Sequence, residues 1–346
     1  MEGAATQAAI KSLAKEGSLT PALASEAMRE IMAGQATQAQ MGALLALMNT
    51  ERCTPEVVHA LADVMRANAV PIDVPREAGP IIDIVGTGGD GQNTFNISTA
   101  AAFVAAAAGA QVVKHGNRAA SSTSGAADVL EASGARLELS PAEVPEVLAA
   151  GRFAFVFART FHPAMKHVGP VRSQLGIRTV FNILGPLTNP AKPDCMLAGV
   201  YSPSLGRLYA EVFKMLGMKR ALVVHGLEVL DELSIAGPSK VWELCEDGSI
   251  KEYEVTPLAD FGLPAYPLTE VASGSAAENA AEMKQLFAGG GRAAVRDMIR
   301  MNAGAALYLT GLAESFKAGA VLAGAVLSDG RAAKSFEAYI AASKPK

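Results

Sequence analysis

Two loops in this chain carry residue types suited to phosphate chemistry. The first, Gly86-Thr-Gly-Gly-Asp-Gly91, follows the apolar run Ile81 to Val85 and precedes the small polar side chains of Thr94, Asn96, Ser98 and Thr99. Glycines tolerate positive φ and close backbone approach, so their amide N–H groups can converge on phosphate oxygens. A helix opening at Ser98 would add N-terminal donors and a dipole favourable to an anion. The second loop, Lys114 to Gly125, follows Gln111-Val-Val and joins the charges of Lys114 and Arg118 to the hydrogen-bonding side chains of Asn117, Ser121 and Ser122. Such a set suits a second cluster of phosphate oxygens. Alone, the first loop reads equally as a tight turn with an N-cap, and the second as a flexible basic loop. Two anion loops on successive strands argue against coincidence.

Other chemistries fit less well. Gly86, Gly88 and Gly91 satisfy the dinucleotide pattern G-x-G-x-x-G, but a polar insert, Gln92 to Asn96, separates them from the next helix. The second strand then ends in Lys114-His115 instead of the carboxylate that would hold a ribose. No Gly-Lys-Ser/Thr follows, so the loop is not of Walker type. No Ser/His/Asp arrangement or activated cysteine stands out. Asp231-Glu232 is a hard-oxygen pair of the kind magnesium uses, although an isolated acidic pair is more often surface charge. Arg172 could meet a carboxylate or serve as an interdomain salt bridge, and His162, in a Phe-His-Pro loop, could wall a site or be structural. Whether His115 faces substrate or core is open.

These residues need elements to hold them. Up to about Val70 the pattern is helical, with starts at Thr20-Pro21, Thr37 and Thr54-Pro55. Glu30, Glu51 and Arg52 read as solvated surface charges. The segment Asn68 to Pro75 breaks the pattern and reads as a link to a second domain. Beyond it, candidate strands Ile81–Val85, Gln111–Lys114, Phe153–Phe157, Cys195–Val200 and Arg220–His225 alternate with helices. Alternation of this kind predicts an α/β layer with a central, mostly parallel sheet. A hairpin is expected around Asp247-Gly248, and helices return from Ser275 to Ala342. The expected division is a small all-helical domain, 1–72, with a return segment near 165–185, and a larger α/β domain, 73–346.

Composition narrows the class. A net charge of −4 over 346 residues, half of them hydrophobic, argues against a nucleic-acid or membrane-surface binder. Cys53, Cys195 and Cys245 lack metal-ligand spacing and read as reduced thiols. The apolar run Ala100 to Ala110 is about half the ~20 residues of a membrane span. A cytoplasmic protein is expected.

The pair GTGGDGQNTFNIST and KHGNRAASSTSGAADVLEASG resembles the signature of anthranilate phosphoribosyltransferases, and the likeness continues through Phe161 to Arg172, Leu175 to Pro190 and Leu230 to Ser234. It covers about residues 20–330. The resemblance implies a nucleoside phosphorylase/phosphoribosyltransferase-like fold with the active site between the two domains. It places the phosphoribosyl pyrophosphate donor on Gly86, Gly88, Gly89, Asp90, Thr94, Asn96, Ile97, Ser98 and Thr99, and on Lys114, His115, Gly116, Asn117, Arg118, Ala119, Ala120, Ser121 and Ser122. Anthranilate falls to Gly86, Asn117, His162 and Arg172, and Mg2+, as two ions, to Ser98, Asp231 and Glu232. No general base is assigned, with His115 and His162 as candidates. A homodimer through the helical domain is implied; association with an anthranilate synthase subunit is left open. Two departures stand out: Ala126 replaces a small hydroxyl residue, and Val229 replaces the usual glycine ahead of Leu-Asp-Glu-Leu-Ser. The rival readings are a pyrimidine nucleoside phosphorylase and a non-catalytic nucleic-acid-binding relative; the latter predicts a basic surface and decayed carboxylates, neither of which this chain has.

Overall fold

The structure is a computed structural model that describes residues 3–48, 53–119 and 123–345. Four helices come first: α1 (Ala4–Glu16), α2 (Pro21–Met32), α3 (Gln38–Leu47) and α4 (Pro55–Ala67). Thr20, Thr37 and Thr54 cap the last three through their side-chain oxygens, as their positions predict, and Gln40 closes a reciprocal capping box with Thr37. Helix α1 has no side-chain cap of its own. Glu30 of α2 supplies one, taking the N–H groups of Ala5 and Thr6 at 2.9 and 2.7 Å and the Thr6 hydroxyl at 2.8 Å. Glu30 is therefore a helix-capping residue rather than the solvated charge expected of it, while Glu51 and Arg52 lie outside the described residues.

The α/β part begins β1 (Ile81–Gly86), α5 (Ile97–Ala107), β2 (Gln111–Gly116), α6 (Ala126–Ala132), α7 (Glu143–Gly151) and β3 (Phe153–Phe157). The short helices α8 (Ala158–Phe161), α9 (Gly169–Leu175) and α10 (Phe181–Leu184) follow. Then come β4 (Cys195–Gly199), α11 (Ser204–Met215), β5 (Arg220–Gly226), β6 (Ser239–Leu244) and β7 (Ile250–Val255). Helices α12 (Pro257–Phe261), α13 (Ala276–Phe287), α14 (Ala293–Leu309), α15 (Phe316–Ser328) and α16 (Arg331–Ser343) complete the chain.

The sheet order is β3-β2-β1-β4-β5-β6-β7. Its first five strands are parallel, and the β6–β7 hairpin is antiparallel, as expected around Asp247-Gly248. The chain leaves β1 toward β2 and β3, then returns to the other side of β1 as β4. That reversal makes a topological switch point at the carboxyl ends of β1 and β4, where open α/β sheets gather ligands.

Strand alternation divides the sheet between two cores. Cys195, Leu197, Leu222, Val224 and Val241 face the core shared with α5, α14 and α16. Met196, Ala198, Ala221, Val223, Trp242 and Leu244 face the opposite core, which also holds Met28, Leu44 and Leu61 of the helical segment and Val171, Phe181 and Leu184 of the return segment. The helices of the amino-terminal part thus pack against α9 and α10 of the return segment and against α11, within the core on one face of the sheet. Phe103 of α5 anchors the first core, with its ring centroid 3.9 Å from that of Phe153 and 4.9 Å from that of Phe336. Replacing a buried ring of this kind removes its transfer energy and leaves a cavity, so Phe103→Ala is expected to cost about 3–5 kcal/mol in chemical denaturation.

Candidate active site

Space at the switch point is set by glycine. Gly86 and Gly199 are paired in register at the ends of β1 and β4. A Cβ on Gly86 would lie 2.3 Å from Asp231 Oδ2, and one on Gly199 would lie 1.6 Å from the Asp231 carbonyl oxygen. Asp231 therefore occupies the gap between two residues that cannot carry side chains. There its Oδ2 accepts the Gly88 N–H at 2.6 Å, and its own N–H approaches Asp90 Oδ2 at 3.4 Å. Gly199, absent from the sequence-derived site, is part of this arrangement; its signal was a strand ending in Ala-Gly.

Glu232 completes the acidic corner. Its Oε1 accepts the Ser98 N–H at 3.2 Å, so the α5 N-terminus holds the carboxylate. Lys114 of β2 is almost fully buried beside it, with Nζ donating to the Ile84 carbonyl and, at 3.1 Å, to Ser98 Oγ. Burial raises Glu232 to about 7 against the pull of Lys114, and lifts Asp231 well above the usual carboxylate range, with Asp90 and Glu232 adding repulsion. Burial also lowers Lys114, partly offset by Asp83, Glu232 and Asp231. A hard divalent cation would relieve this crowding, and Asp231, Glu232 and the Ser98 hydroxyl offer the oxygen ligands it prefers. Among the described residues no three acidic, His or Cys groups form a complete metal cage. That suits an ion which takes its remaining ligands from water and substrate phosphates.

Asp83 did not figure in the sequence-derived site. Fully buried on β1, it accepts the His115 N–H at 3.3 Å and Asn189 Nδ2 at 2.9 Å, while Asn189 also reaches the Val113 carbonyl at 2.8 Å. Burial lifts it to about 6, opposed by Lys114 and the Asn189 bond. An aspartate in an otherwise apolar strand, Ile-Ile-Asp-Ile-Val, was its signal.

The second loop is closed at its base by Asp128, whose Oδ2 takes the N–H groups of Ala119 and Gly125 at 2.8 and 2.9 Å. Asn93 and Asn96 tie it to the first loop: Asn93 Oδ1 accepts the Thr123 N–H at 3.0 Å, and Asn96 Nδ2 reaches the Ser124 carbonyl at 3.0 Å. Thr94 bridges Ala272, and Ile97 and Thr99 are buried in the first turn of α5. Asn117 is exposed, and Gly116 packs so closely on Phe155 that a Cβ would lie 2.7 Å from the ring. Arg118 pairs with Glu131 at 2.6 and 2.8 Å and with Asp128 at 3.1 Å, so its charge is already committed within the loop and α6. Ala120, Ser121 and Ser122 lie outside the described residues. Ala126, the first residue of α6, presents only a methyl group.

His115 and His162 lie side by side, ring centroids 5.0 Å apart, with His115 Nδ1 3.3 Å from the Gly185 carbonyl. Both Nε2 atoms are buried without a hydrogen-bond partner among the described residues. Burial lowers His115 to about 3, with His162 adding repulsion, and lowers His162 to about 4. Arg172 on α9 is half-buried, its guanidinium 5.5 Å from the centroid of the Phe181 ring, and no ion pair engages it among the described residues.

Val229 has φ of +64°, a region that favours glycine, and sits half exposed in the turn between β5 and Asp231. The departure from glycine is therefore a strained one. Val229→Gly should raise stability by about 0.5–1 kcal/mol, the left-handed penalty less glycine's extra chain entropy, in urea denaturation. The buried imidazoles predict a pH effect of definite sign. Between about pH 4 and the unfolded value of about 6.5 the unfolded chain binds the His162 proton and the folded chain does not. This term makes folding less favourable as pH falls through that window. His162→Gln should therefore gain stability relative to the native chain on acidification, by at most about 1.4 kcal/mol per pH unit, in parallel denaturation series.

Comparison with known proteins matches both parts of the chain. Residues 7–69 fit the glycosyl transferase family helical bundle domain, and residues 78–333 fit the glycosyl transferase family a/b domain. The anthranilate phosphoribosyltransferase of Methylibium petroleiphilum is 45% identical over 317 residues, covering 92% of this chain and 91% of that one. The crystal structure of anthranilate phosphoribosyltransferase from Thermus thermophilus superimposes with a TM-score of 0.91 at 43% identity, covering 100% of both chains. The Saccharomyces cerevisiae enzyme, solved in complex with PRPP and Mg, gives 0.89 at 30% identity with 98% of each chain covered. The same yeast protein has also been solved with 4-fluoroanthranilate. The chain belongs to this glycosyl transferase family and, within it, to the anthranilate phosphoribosyltransferases.

Proposed function

We infer that this chain transfers the phosphoribosyl group of 5-phosphoribosyl 1-pyrophosphate to the amine of anthranilate, giving N-(5-phosphoribosyl)anthranilate and pyrophosphate in tryptophan biosynthesis. The observation that carries the reading is the meeting of the glycine loop, buried Lys114 and Asp231–Glu232 at the β1/β4 switch point. The relatives named above share the activity by name, and a yeast structure holds PRPP and Mg.

The reaction breaks the bond from the ribose anomeric carbon to pyrophosphate and forms one to the amine nitrogen, which loses a proton. Magnesium, when bound through Asp231, Glu232 and Ser98, supplies positive charge for the pyrophosphate. Lys114 Nζ donates at the same corner, and glycine-loop amides can donate hydrogen bonds to the leaving oxygens without reorganising late in the reaction. Gly88 N–H is taken by Asp231 in the structure, so loading the donor exchanges one anion for another at that amide. Arg172, with no carboxylate partner among the described residues, suits the acceptor carboxylate, and Asn117, exposed at the loop surface, can orient the acceptor. The low basicity of His115 and His162 leaves both neutral near pH 7, able to accept a hydrogen bond from the amine but poor at retaining its proton.

Binding of two Mg2+ ions, a homodimer through the helical domain and a cytoplasmic location belong to the same reading. No helix among the described residues is long and apolar enough to cross a membrane.

Loss of anthranilate fluorescence in the presence of phosphoribosyl pyrophosphate tests the reaction. Turnover should require magnesium, stop with EDTA, and fall at least about 100-fold in Asp231→Ala/Glu232→Ala, as loss of transition-state charge stabilisation does elsewhere. A folded protein that binds the donor without turning over would mean a different acceptor.

A further inference from the structure

Arg178 lies between Gly176, which ends α9 in the left-handed conformation, and Thr179, whose N–H donates to Asn182 Oδ1 at 2.9 Å. The next residues, Val180 and Phe181, are buried in the core that contains the amino-terminal helices. The Arg178 side chain leaves this anchored turn and reaches the donor loop. Its Nη2 donates to the Gly89 carbonyl, and a Cβ on Gly89 would meet its guanidinium atoms at 3.7–3.9 Å. The guanidinium thus covers the glycine directly.

Its other support hangs from the same loop. Arg178 Cζ lies 4.4 Å from the centroid of the Tyr201 ring, and the Tyr201 N–H donates to Thr87 Oγ1 at 3.1 Å. A planar, delocalised cation can stack on an aromatic face and hold a carbonyl at once, which a lysine cannot reproduce. Some surface arginines here meet carboxylates, as Arg207 does Glu211 and Arg331 does Asp329. Arg178 instead spends its reach on a carbonyl and a ring that both belong to the glycine-loop assembly.

We propose that Arg178 is a positioning residue that clamps the donor loop to the return segment, so that pyrophosphate binding at the loop and anthranilate binding beside Arg172 reinforce each other. The proposal rests on the transferase reading for the identity of the two ligands; the clamp itself does not. Energetic coupling needs one element that both sites bias. Here that element is the contact from Arg178 to Gly89, joining the segment that carries Arg172 to the loop that carries Gly86 and Gly88. Tyr201 holds the guanidinium at the height of the Gly89 carbonyl.

Two measurements on the full chain test it, using Arg178→Ala and Arg178→Lys. The first is amide hydrogen exchange over residues 86–95 without any ligand, with thermal unfolding as a check on folding. The alanine variant should exchange faster there at an unchanged unfolding temperature, and the lysine variant should fall between. The second is anthranilate binding, followed by its fluorescence, with and without magnesium pyrophosphate. In the native chain magnesium pyrophosphate should tighten anthranilate binding about five-fold or more, the lower end of ordinary coupling. In Arg178→Ala that gain should vanish while anthranilate affinity alone changes less than about two-fold. Unchanged loop exchange, or full coupling retained in the alanine variant, would overturn the proposal. A native chain that binds neither ligand would instead sink the transferase reading, with the exchange measurement still deciding the clamp.

Discussion

Asp231 threads a gap that exists because Gly86 and Gly199 face each other at the ends of β1 and β4. The rest of the site follows from that crossing. Its carboxylate lands on the Gly88 N–H, its neighbour Glu232 lands on the α5 N-terminus, and Lys114 is drawn beneath both. Asp231 and Glu232 are buried there, and burial, with repulsion from Asp90 added, raises the proton affinity of both. On the proposed reading such groups are pre-arranged for a cation and a polyanion, so part of the energy of ordering them is met during folding.

The two cores explain how the glycine loop comes to meet the return segment. Alternating residues of β4, β5 and β6 serve opposite faces of one sheet, so the amino-terminal helices and the carboxy-terminal helices share a rigid wall. The return segment is built into the helical side through Val171, Phe181 and Leu184, yet it sends Arg178 to Gly89 and the Gly185 carbonyl to His115. Polar contacts therefore cross from the return segment to the glycine loop and to β2.

The departures from the family pattern differ in weight. Ala126 removes a hydroxyl from the start of α6, where Asp128 still pins both ends of the loop, so the local fold does not depend on it. Val229 leaves the chain in a conformation that a β-branched residue adopts only under constraint. That constraint comes from the Gly226–Leu230 bridge and from Gln92 Nε2 holding the Glu228 carbonyl at 2.6 Å. The strain is local and precedes Asp231 by two residues.

The residues alone were enough to locate the elements and the two anion loops, because caps, glycines and strand alternation are properties of neighbours in the chain. Thr37 caps the helix it precedes, and Asp247-Gly248 turns the hairpin it interrupts. Which charges were already spent was not legible. Arg118, expected at the donor, also pairs with Glu131; Glu30 looked solvated and caps α1; Asp83, in a strand read only as apolar, supports the His115 backbone. Each of these depends on contacts between segments far apart in sequence, as in the 143 residues separating Gly88 from Asp231. Local preference decides what a residue can do, but burial and partner choice arise only when distant segments pack, and those two quantities set whether a charge binds substrate or holds the fold.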